Sequence, residues 1–217
     1  MIPINIGWGS WFSNNNADGS QSNFKRNVEA SLALSRMHDR GVHSQPCCLE
    51  PWELIPMVKM AASAPPGCFV EVGVYWGGAA HHLVGIGKKQ DRQVYLYDTF
   101  DGMPYMDAED VNGVPVGELK TSYATVKGFL GTWPHLYKCV FPYDVDLPPE
   151  PIAFAHIDVD AYRSTKETCA ALAPLMAKDG IMWFDDTNTL EGARQAIREL
   201  GYTYEIDPTT NRWFSRF

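Results

Sequence analysis

The chain has 217 residues, which is enough for one α/β domain with a substantial core and too few for two full domains. Its 18 Lys and Arg residues against 26 Asp and Glu residues give a net charge of −8 at pH 7, which argues against a nucleic-acid partner because such binding rests on clustered basic side chains. There is no long apolar run for a membrane span and no zinc-like spacing among the five cysteines, so we expect a cytoplasmic protein with reduced thiols that binds no membrane.

The chain begins with a segment, residues 1–64, that we expect to be distinct from the main domain, residues 65–217. Its first residues are rich in Gly, Ser and Asn and predict an irregular arm. Apolar residues at helical spacing then predict helices over about residues 23–37 and 51–64, and the pair Pro65–Pro66 ends the second helix. We expect this segment to act as a lid or as a contact in a homo-oligomer.

Short apolar runs alternate with longer amphipathic stretches through the rest of the chain. The predicted strands are CFVEVGV, QVYLYD, LYKCVF, IAFAHID and GIMWFDD, and the predicted helices are GGAAHHLVGIGKK, ELKTSYATVKGFL, STKETCAALAPLMA and LEGARQAIRELG. The aromatic runs YTYEI and RWFSRF flank the turn DPTTN and predict a terminal hairpin. The pattern predicts an α/β fold with a mostly parallel sheet, helices on both faces and an antiparallel hairpin at the C-terminal end.

The glycine turn after the first strand departs from the dinucleotide-binding pattern. That pattern, G-x-G-x-x-G, needs a second glycine so that the backbone can approach a pyrophosphate, but Tyr75 stands between Gly73 and Gly78. An acidic residue before the turn, Glu71, also suits a ligand with an amino group better than a phosphate. S-adenosylmethionine has an amino-acid end, a sulfonium, a ribose and an adenine but no phosphate, and we expect it as the cofactor.

Residues that follow the strands are the candidates for cofactor binding, because ligands of such sheets bind at the carboxyl ends of the strands. Asp98 ends the second strand and is expected to bind the two ribose hydroxyls. Asp144 follows the third strand and is the candidate for adenine, with Asp146 as its rival. The predicted cofactor-binding set is Glu71, Gly73, Gly77, Asp98, Thr99 and Asp144.

Four carboxylates follow two strands that we expect to be neighbours: Asp158 and Asp160 after one, Asp185 and Asp186 after the other. Like charges this close raise one another's pKa, so we expect a cation among them. Oxygen ligands favour Mg²⁺, then Mn²⁺ or Ca²⁺, and a lack of nearby Cys or His ligands argues against zinc. His156 is interpreted as a core residue. We predict Asp158, Asp185 and Asp186 as metal ligands and Asp160 as the catalytic base.

These segments resemble the macrocin O-methyltransferase family. The resemblance rests on FVEVGVYWGG, YDTFDGMP, HIDVDAYRST and FDD, in that order, and covers about residues 66–198. It implies a class I methyltransferase fold, which is Rossmann-like, with a seven-stranded sheet. It also implies the same roles for the acids, with a divalent metal on Asp158, Asp185 and Asp186 and a base at Asp160.

More distantly the site is similar to that of catechol-type O-methyltransferases, whose base is a lysine three residues after the first metal ligand. Ala161 stands at that position, so the role of the lysine is vacant and the case for Asp160 is stronger.

The predicted reaction is transfer of a methyl group from S-adenosylmethionine to a hydroxyl of a small molecule. A bound cation lowers the pKa of the hydroxyl and a carboxylate takes its proton. Two adjacent oxygens would chelate the metal together, so the predicted acceptor is a vicinal diol or catechol. A vicinal diol of a sugar or natural product is the expected case. The alternatives are a D-x-D phosphohydrolase, which would carry that motif after its first strand, and a metal-dependent glycosyltransferase, which leaves FVEVGVYWGG and YDTFDGMP without a role.

Overall fold

A computed structural model describes Leu49 and residues 51–217. The predicted N-terminal arm and the predicted helix over residues 23–37 lie outside the described residues. Within the described part, no helix combines the length and the apolar character needed to cross a membrane.

A seven-stranded sheet lies at the centre of the fold, in the order β3-β2-β1-β4-β5-β7-β6. Strands β1 to β5 are parallel, and β7 runs antiparallel to both β5 and β6. This confirms the predicted fold, including the hairpin. The strands are β1 Cys68–Val72, β2 Val94–Asp98, β3 His135–Lys138, β4 Ile152–Ile157, β5 Met176–Phe184, β6 Glu205–Ile206 and β7 Trp213–Arg216. The strand order reverses between β1 and β4, which is where ligands of such sheets bind.

The helices of the described part connect and cover these strands. They are α1 Pro51–Ser63, α2 Gly78–Gln90, α3 Tyr123–Leu130, α4 Tyr162–Leu172 and α5 Glu191–Leu200, with 3₁₀ turns at Ala173–Leu175 and Asp185–Asn188.

Two predicted helix bounds were wrong. Helix α3 begins at Tyr123 rather than Glu118, because the Ser122 side chain caps it by accepting a hydrogen bond from the Thr125 N–H at 3.3 Å. Helix α4 ends at Leu172, before Pro174, whose ring disfavours continuation of an α-helix, and β5 therefore starts at Met176.

Alternate residues of the central strands pack into two apolar clusters, one for each face of the sheet. In β5, Ile181 and Trp183 belong to one cluster and Met182 and Phe184 to the other. Helix α1 contributes Leu54 and its apolar neighbours to the first cluster, so it shares a core with the sheet. The division between residues 1–64 and 65–217 stays a prediction.

The connection between β2 and α3, residues 99–122, has no helix or strand and is called the 99–122 loop below. Its two arms are joined by backbone hydrogen bonds: the Met103 N–H donates to the Glu118 carbonyl at 2.9 Å, and the Gly117 N–H donates to the Met103 carbonyl at 3.0 Å. The loop is therefore a closed unit that stands beside the carboxyl ends of the strands.

Candidate active site

A cavity of about 300 Å³ lies at the carboxyl ends of β1, β2, β4 and β5. This is the lower end of the size range of small-molecule sites, about 300–1,000 Å³. One part of its wall consists of acidic residues after the strands, and the other part is largely apolar and comes from the 99–122 loop and the segment after β3. These two groups are Asp98, Asp158, Asp160, Asp185 and Asp186, and Met103, Pro104, Tyr105, Val114, Leu119, Val140 and Phe141.

The turn after β1 is shaped by contact with the end of β4. Gly73 has φ +90°, and a Cβ there would lie 1.5 Å from the Asp158 carbonyl oxygen. Glycine is required at this position because the backbones that follow the parallel strands β1 and β4 approach closely. In the dinucleotide-binding pattern, by contrast, glycine is required for the approach of a pyrophosphate. Gly73 lines the cavity, whereas Gly77, at φ +85°, is the residue from which α2 begins.

Asp98 organises this turn as well as lining the cavity. One carboxylate oxygen accepts from the N–H groups of Val74, at 2.7 Å, and Tyr75, at 2.8 Å, and the other accepts from Phe100 at 2.6 Å. Burial raises the pKa of Asp98, and these hydrogen bonds oppose the rise. Its neighbour Thr99 also lines the cavity and donates its hydroxyl proton to the Gly102 carbonyl at 2.7 Å.

The remaining two predicted cofactor residues lie elsewhere. Glu71 is 1% exposed, and its Oε1 lies 3.1 Å from Nδ1 of His156, the residue that faces it in register on β4. Asp144 is exposed, and the wall of the cavity on that side is made by Val140 and Phe141 instead. Burial raises the pKa of Glu71, while the hydrogen bond from His156 opposes the rise.

Asp158, Asp160 and Asp186 come together, whereas the predicted ligand set is Asp158, Asp185 and Asp186 with Asp160 as the base. Each offers a carboxylate oxygen, and these oxygens lie within 4.8 Å of one another. Oδ2 of Asp186 accepts hydrogen bonds from the backbone N–H groups of Val159, at 3.2 Å, and Asp160, at 2.8 Å, so it also fixes the turn after β4. Burial and the neighbouring carboxylates raise the pKa of Asp158 and Asp186 well above the usual range. Burial raises the pKa of Asp160 to about 6.

Asp185 has a different electrostatic environment from the other three acids. Its Oδ1 lies 2.9 Å from Nε of Arg212 and 3.4 Å from Nε2 of His156, and Arg212 Nη2 donates to its Oδ2 at 3.1 Å. Burial alone would raise the pKa of Asp185, but the hydrogen bonds and charges of His156 and Arg212 lower it. Asp185 is therefore held as a carboxylate.

One interpretation of the sequence needs correction here. His156 is fully buried, as expected of a core residue, but the expected lack of a nearby His ligand is wrong, because a ring nitrogen of His156 lies within 4.8 Å of carboxylate oxygens of Asp158 and Asp185. Burial disfavours its protonation, but hydrogen bonds to Asp185 and Glu71 raise its pKa well above the usual value.

Arg212 is the functional residue that the sequence reasoning missed. It is 4% exposed, lines the cavity, and joins Asp185 to Oε1 of Glu53 in α1, at 3.1 Å from Nη1. The signal was present in the hairpin: Phe184 pairs with Trp213, so the residue before Trp213 lies opposite the residue after Phe184. Asp185 thus has charge compensation from the protein itself.

A divalent metal ion fits the donor set of this cluster. Its donors are carboxylate oxygens, which Mg²⁺ and Ca²⁺ prefer, and a cation among them would offset the mutual repulsion and burial that raise the pKa of Asp158 and Asp186. Two sets of three residues each bring their possible ligand atoms within 4.8 Å of one another. Asp158 belongs to both sets, with Asp160 and Asp186 in one and with His156 and Asp185 in the other.

Comparison with known proteins agrees with the family resemblance that the sequence motifs indicate. The family model described as macrocin-O-methyltransferase (TylF) matches residues 56–211. A curated tetracenomycin-C 4'-O-methyltransferase of Streptomyces olivaceus, whose substrate carries a dimethoxy-rhamnosyl group, is 25% identical over 68% of this chain and 63% of its own length. The mycinamicin III 3''-O-methyltransferase of Micromonospora griseorubida is 31% identical over 62% of this chain and 60% of its own length. The matches span only about three fifths of these relatives.

Solved structures agree with the fold. The O-methyltransferase NovP superposes with a TM-score of 0.69 at 18% identity, covering 90% of this chain and 98% of that one. The calicheamicin methyltransferase CalS11 gives 0.67 at 20% identity, covering 93% of this chain and 87% of that one. At these identities the likeness supports the class I methyltransferase fold.

Proposed function

The chain belongs to the macrocin O-methyltransferase family, and from this premise we propose that it transfers a methyl group from S-adenosylmethionine to a hydroxyl of a small molecule. The observation that carries the proposal is the cavity in which the family's aspartates, Asp158, Asp160, Asp185 and Asp186, meet beside a glycine turn after β1. The curated relatives named above are by their names O-methyltransferases of natural products, one of them with a substrate that carries a rhamnosyl group, which supports the same class of acceptor here.

We propose that S-adenosylmethionine occupies the side of the cavity next to β1 and β2. Gly73, Asp98 and Thr99 line it, and Val140 and Phe141 offer an apolar wall for the adenine ring in place of Asp144. Glu71 and Gly77, which are predicted cofactor residues, are proposed to act through the shape of the β1 turn.

We propose that Asp158, Asp185 and Asp186 hold a divalent metal, Mg²⁺ first. When bound, the ion would lower the pKa of an acceptor hydroxyl and fix a vicinal pair of oxygens. The protein's own part is to orient the ligands: Arg212 and His156 hold Asp185, and the backbone of Val159 and Asp160 holds Asp186.

Asp160 is the proposed base. It lines the cavity beside Asp158 and Asp186, and burial raises its pKa to about 6, which is close to neutrality. A base with a pKa near the working pH is the efficient one, and such help is worth about 10²- to 10⁴-fold in rate. The proton of the attacking hydroxyl passes to an Asp160 carboxylate oxygen as the oxygen attacks the methyl carbon and the sulfonium bond breaks.

The charges of the cavity favour a neutral acceptor. Among the described lining residues Arg212 is the single cation, and it is paired with Asp185 and Glu53, whereas five lining residues are aspartates. A phosphate group that lies out of reach of the proposed metal would meet repulsion from these aspartates, so a neutral acceptor is the first candidate. The family match, rather than the charge of the cavity, argues against the alternative phosphohydrolase and glycosyltransferase functions.

The test is incubation with S-adenosylmethionine and a panel of neutral vicinal diols, glycosides and nucleotide sugars, with and without a chelator, read by mass. We expect a gain of one methyl group on a neutral diol and its loss after metal removal. Methylation that persists without metal would refute the metal part. Absence of S-adenosylmethionine binding in isothermal titration would refute the function.

A further inference from the structure

Asp110, in the 99–122 loop, is a buried carboxylate with no part in the chemistry described above. It is 4% exposed; its Oδ1 accepts from the Tyr162 N–H at 2.7 Å, and its Oδ2 accepts from the Asp107 N–H at 2.9 Å. Tyr162 is the first residue of α4, and Ala161 before it has no side-chain cap to offer. The loop therefore supplies the cap of a helix that lies more than 50 positions further along the chain.

The capped end of α4 is continuous with the turn that carries Asp160. Asp160 has φ +57° and is separated from Tyr162 by one residue. Its own N–H is bound by Asp186, so the short turn is held on one side by Asp186 and on the other by Asp110. A left-handed conformation of a non-glycine residue persists where the surroundings hold it. These two carboxylates bind the backbone on both sides of Asp160, and the Ala161 N–H donates to the Val159 carbonyl across it at 2.7 Å.

The other ties between the loop and α4 are less buried than Asp110, because Tyr105 and Glu167 are half-buried and Arg163 is exposed. Tyr105 donates to Glu167 at 2.7 Å, and Arg163, whose side chain is 47% exposed, pairs with Asp107. Exposed ion pairs contribute little, because water competes and screens them. Asp110 is the buried connection, and charge-assisted hydrogen bonds to buried backbone are the stronger ones.

We propose that Asp110 is a positioning residue that couples the 99–122 loop to the turn of Asp160. Met103, Tyr105 and Val114 lie on either side of it in the loop and line the cavity, so one carboxylate sets both the loop wall and the base turn. The inference rests on the proposed methyl transfer. The cofactor side of the cavity is held separately, by the bonds of Asp98 to the β1 turn.

The test combines amide hydrogen exchange with kinetics on the full chain. In Asp110→Ala we expect the peptides that contain Asp107 and Tyr162 to exchange at least about tenfold faster, the scale set by loss of a hydrogen bond to a charged group. The KM for the acceptor should rise by about the same factor, while S-adenosylmethionine affinity changes less than about twofold. Asp110→Asn, which keeps one acceptor oxygen, should give intermediate values.

A second variant displaces Asp110 without removing it. Gly192, in the first turn of α5, lies so close that a Cβ would be 2.2 Å from Asp110 Oδ1. Alanine normally favours a helix over glycine, so Gly192→Ala should support α5 yet push the carboxylate away from Tyr162. We expect the same two peptides to exchange faster in this variant, which keeps the proposal testable if Asp110→Ala does not fold.

Glu109→Ala is the matched control, because it removes the neighbouring acid of the same loop and should leave exchange and kinetics unchanged. Unchanged exchange at Tyr162 in both Asp110→Asn and Gly192→Ala would overturn the proposal, as would an unchanged acceptor KM with faster exchange. Faster exchange in a protein that methylates nothing would instead overturn the proposed function, since the coupling is read without turnover.

Discussion

Arg212 and Asp185 form a buried ion pair in which Nε of the arginine lies 2.9 Å from Oδ1 and also 2.8 Å from the backbone carbonyl of the same aspartate. The pairing gives one of the four clustered aspartates a fixed charge and a fixed orientation. The other three aspartates have no paired arginine or lysine among the described residues.

Arg212→Met should destabilise the protein by about 3–5 kcal/mol, because it leaves Asp185 and Glu53 buried without their cation. Urea unfolding of the metal-free protein measures this. Arg216→Met is the control: its pair with Glu205 is exposed on both sides, so its loss should cost less than about 1 kcal/mol. Equal effects of the two substitutions would contradict the assigned role of Arg212.

Asp160→Asn should lower kcat by about 10²- to 10⁴-fold, since it removes the proposed base. Binding of S-adenosylmethionine and of Mg²⁺, followed by isothermal titration, should survive. Loss of Mg²⁺ binding in this variant would make Asp160 a ligand rather than the base, an arrangement that its place beside Asp158 and Asp186 permits.

Mg²⁺ should stabilise the folded protein, because it binds the cluster only when the strands are assembled. At 100 times its Kd the gain is about 2.7 kcal/mol, seen as a rise in Tm. Asp158→Asn should abolish the rise, whereas Asp179→Asn, in an exposed part of β5, should keep it. A Tm that responds to Mg²⁺ equally in both variants would place the ion elsewhere.

Gly73→Ala should unfold the protein or cost more than about 3 kcal/mol, since the added Cβ would overlap the Asp158 carbonyl and the positive φ adds about 1–2 kcal/mol. Gly201→Ala separates the two causes: Gly201 has φ +72° with open space around it, so only the backbone cost remains. Thermal melts compare the two. A similar loss of Tm in both variants would show that the close approach of Gly73 to the Asp158 carbonyl tolerates the methyl group.

The sequence was sufficient for the fold because its signals are local and repeated. Each strand is a short apolar run followed by a helix pattern, and the hairpin follows from two aromatic runs around DPTTN. The position of Asp158, Asp160, Asp185 and Asp186 at one place followed from the rule that parallel strands end at one edge.

What the sequence could not provide depends on contacts between distant segments. Arg212 contacts Asp185 because of the register of the antiparallel strands β5 and β7. Glu71 contacts His156 because of the register of the parallel strands β1 and β4. The Asp98 carboxylate accepts hydrogen bonds from three backbone N–H groups, which no pattern of residue types predicts. Asp144 was chosen for its place after the third strand, but the irregular segment there leaves it exposed.

The buried charges of the site extend from Glu53 in α1, through Arg212, Asp185 and His156, to Glu71 in β1. Glu53 and Arg212, which pair directly, are 159 positions apart in the chain. A partly folded form that lacks either α1 or β7 would carry an uncompensated charge in a dry interior, which makes such forms costly. The network therefore ties α1 to the ends of β1, β4 and β5 and to the residue before β7, which favours cooperative unfolding of these elements.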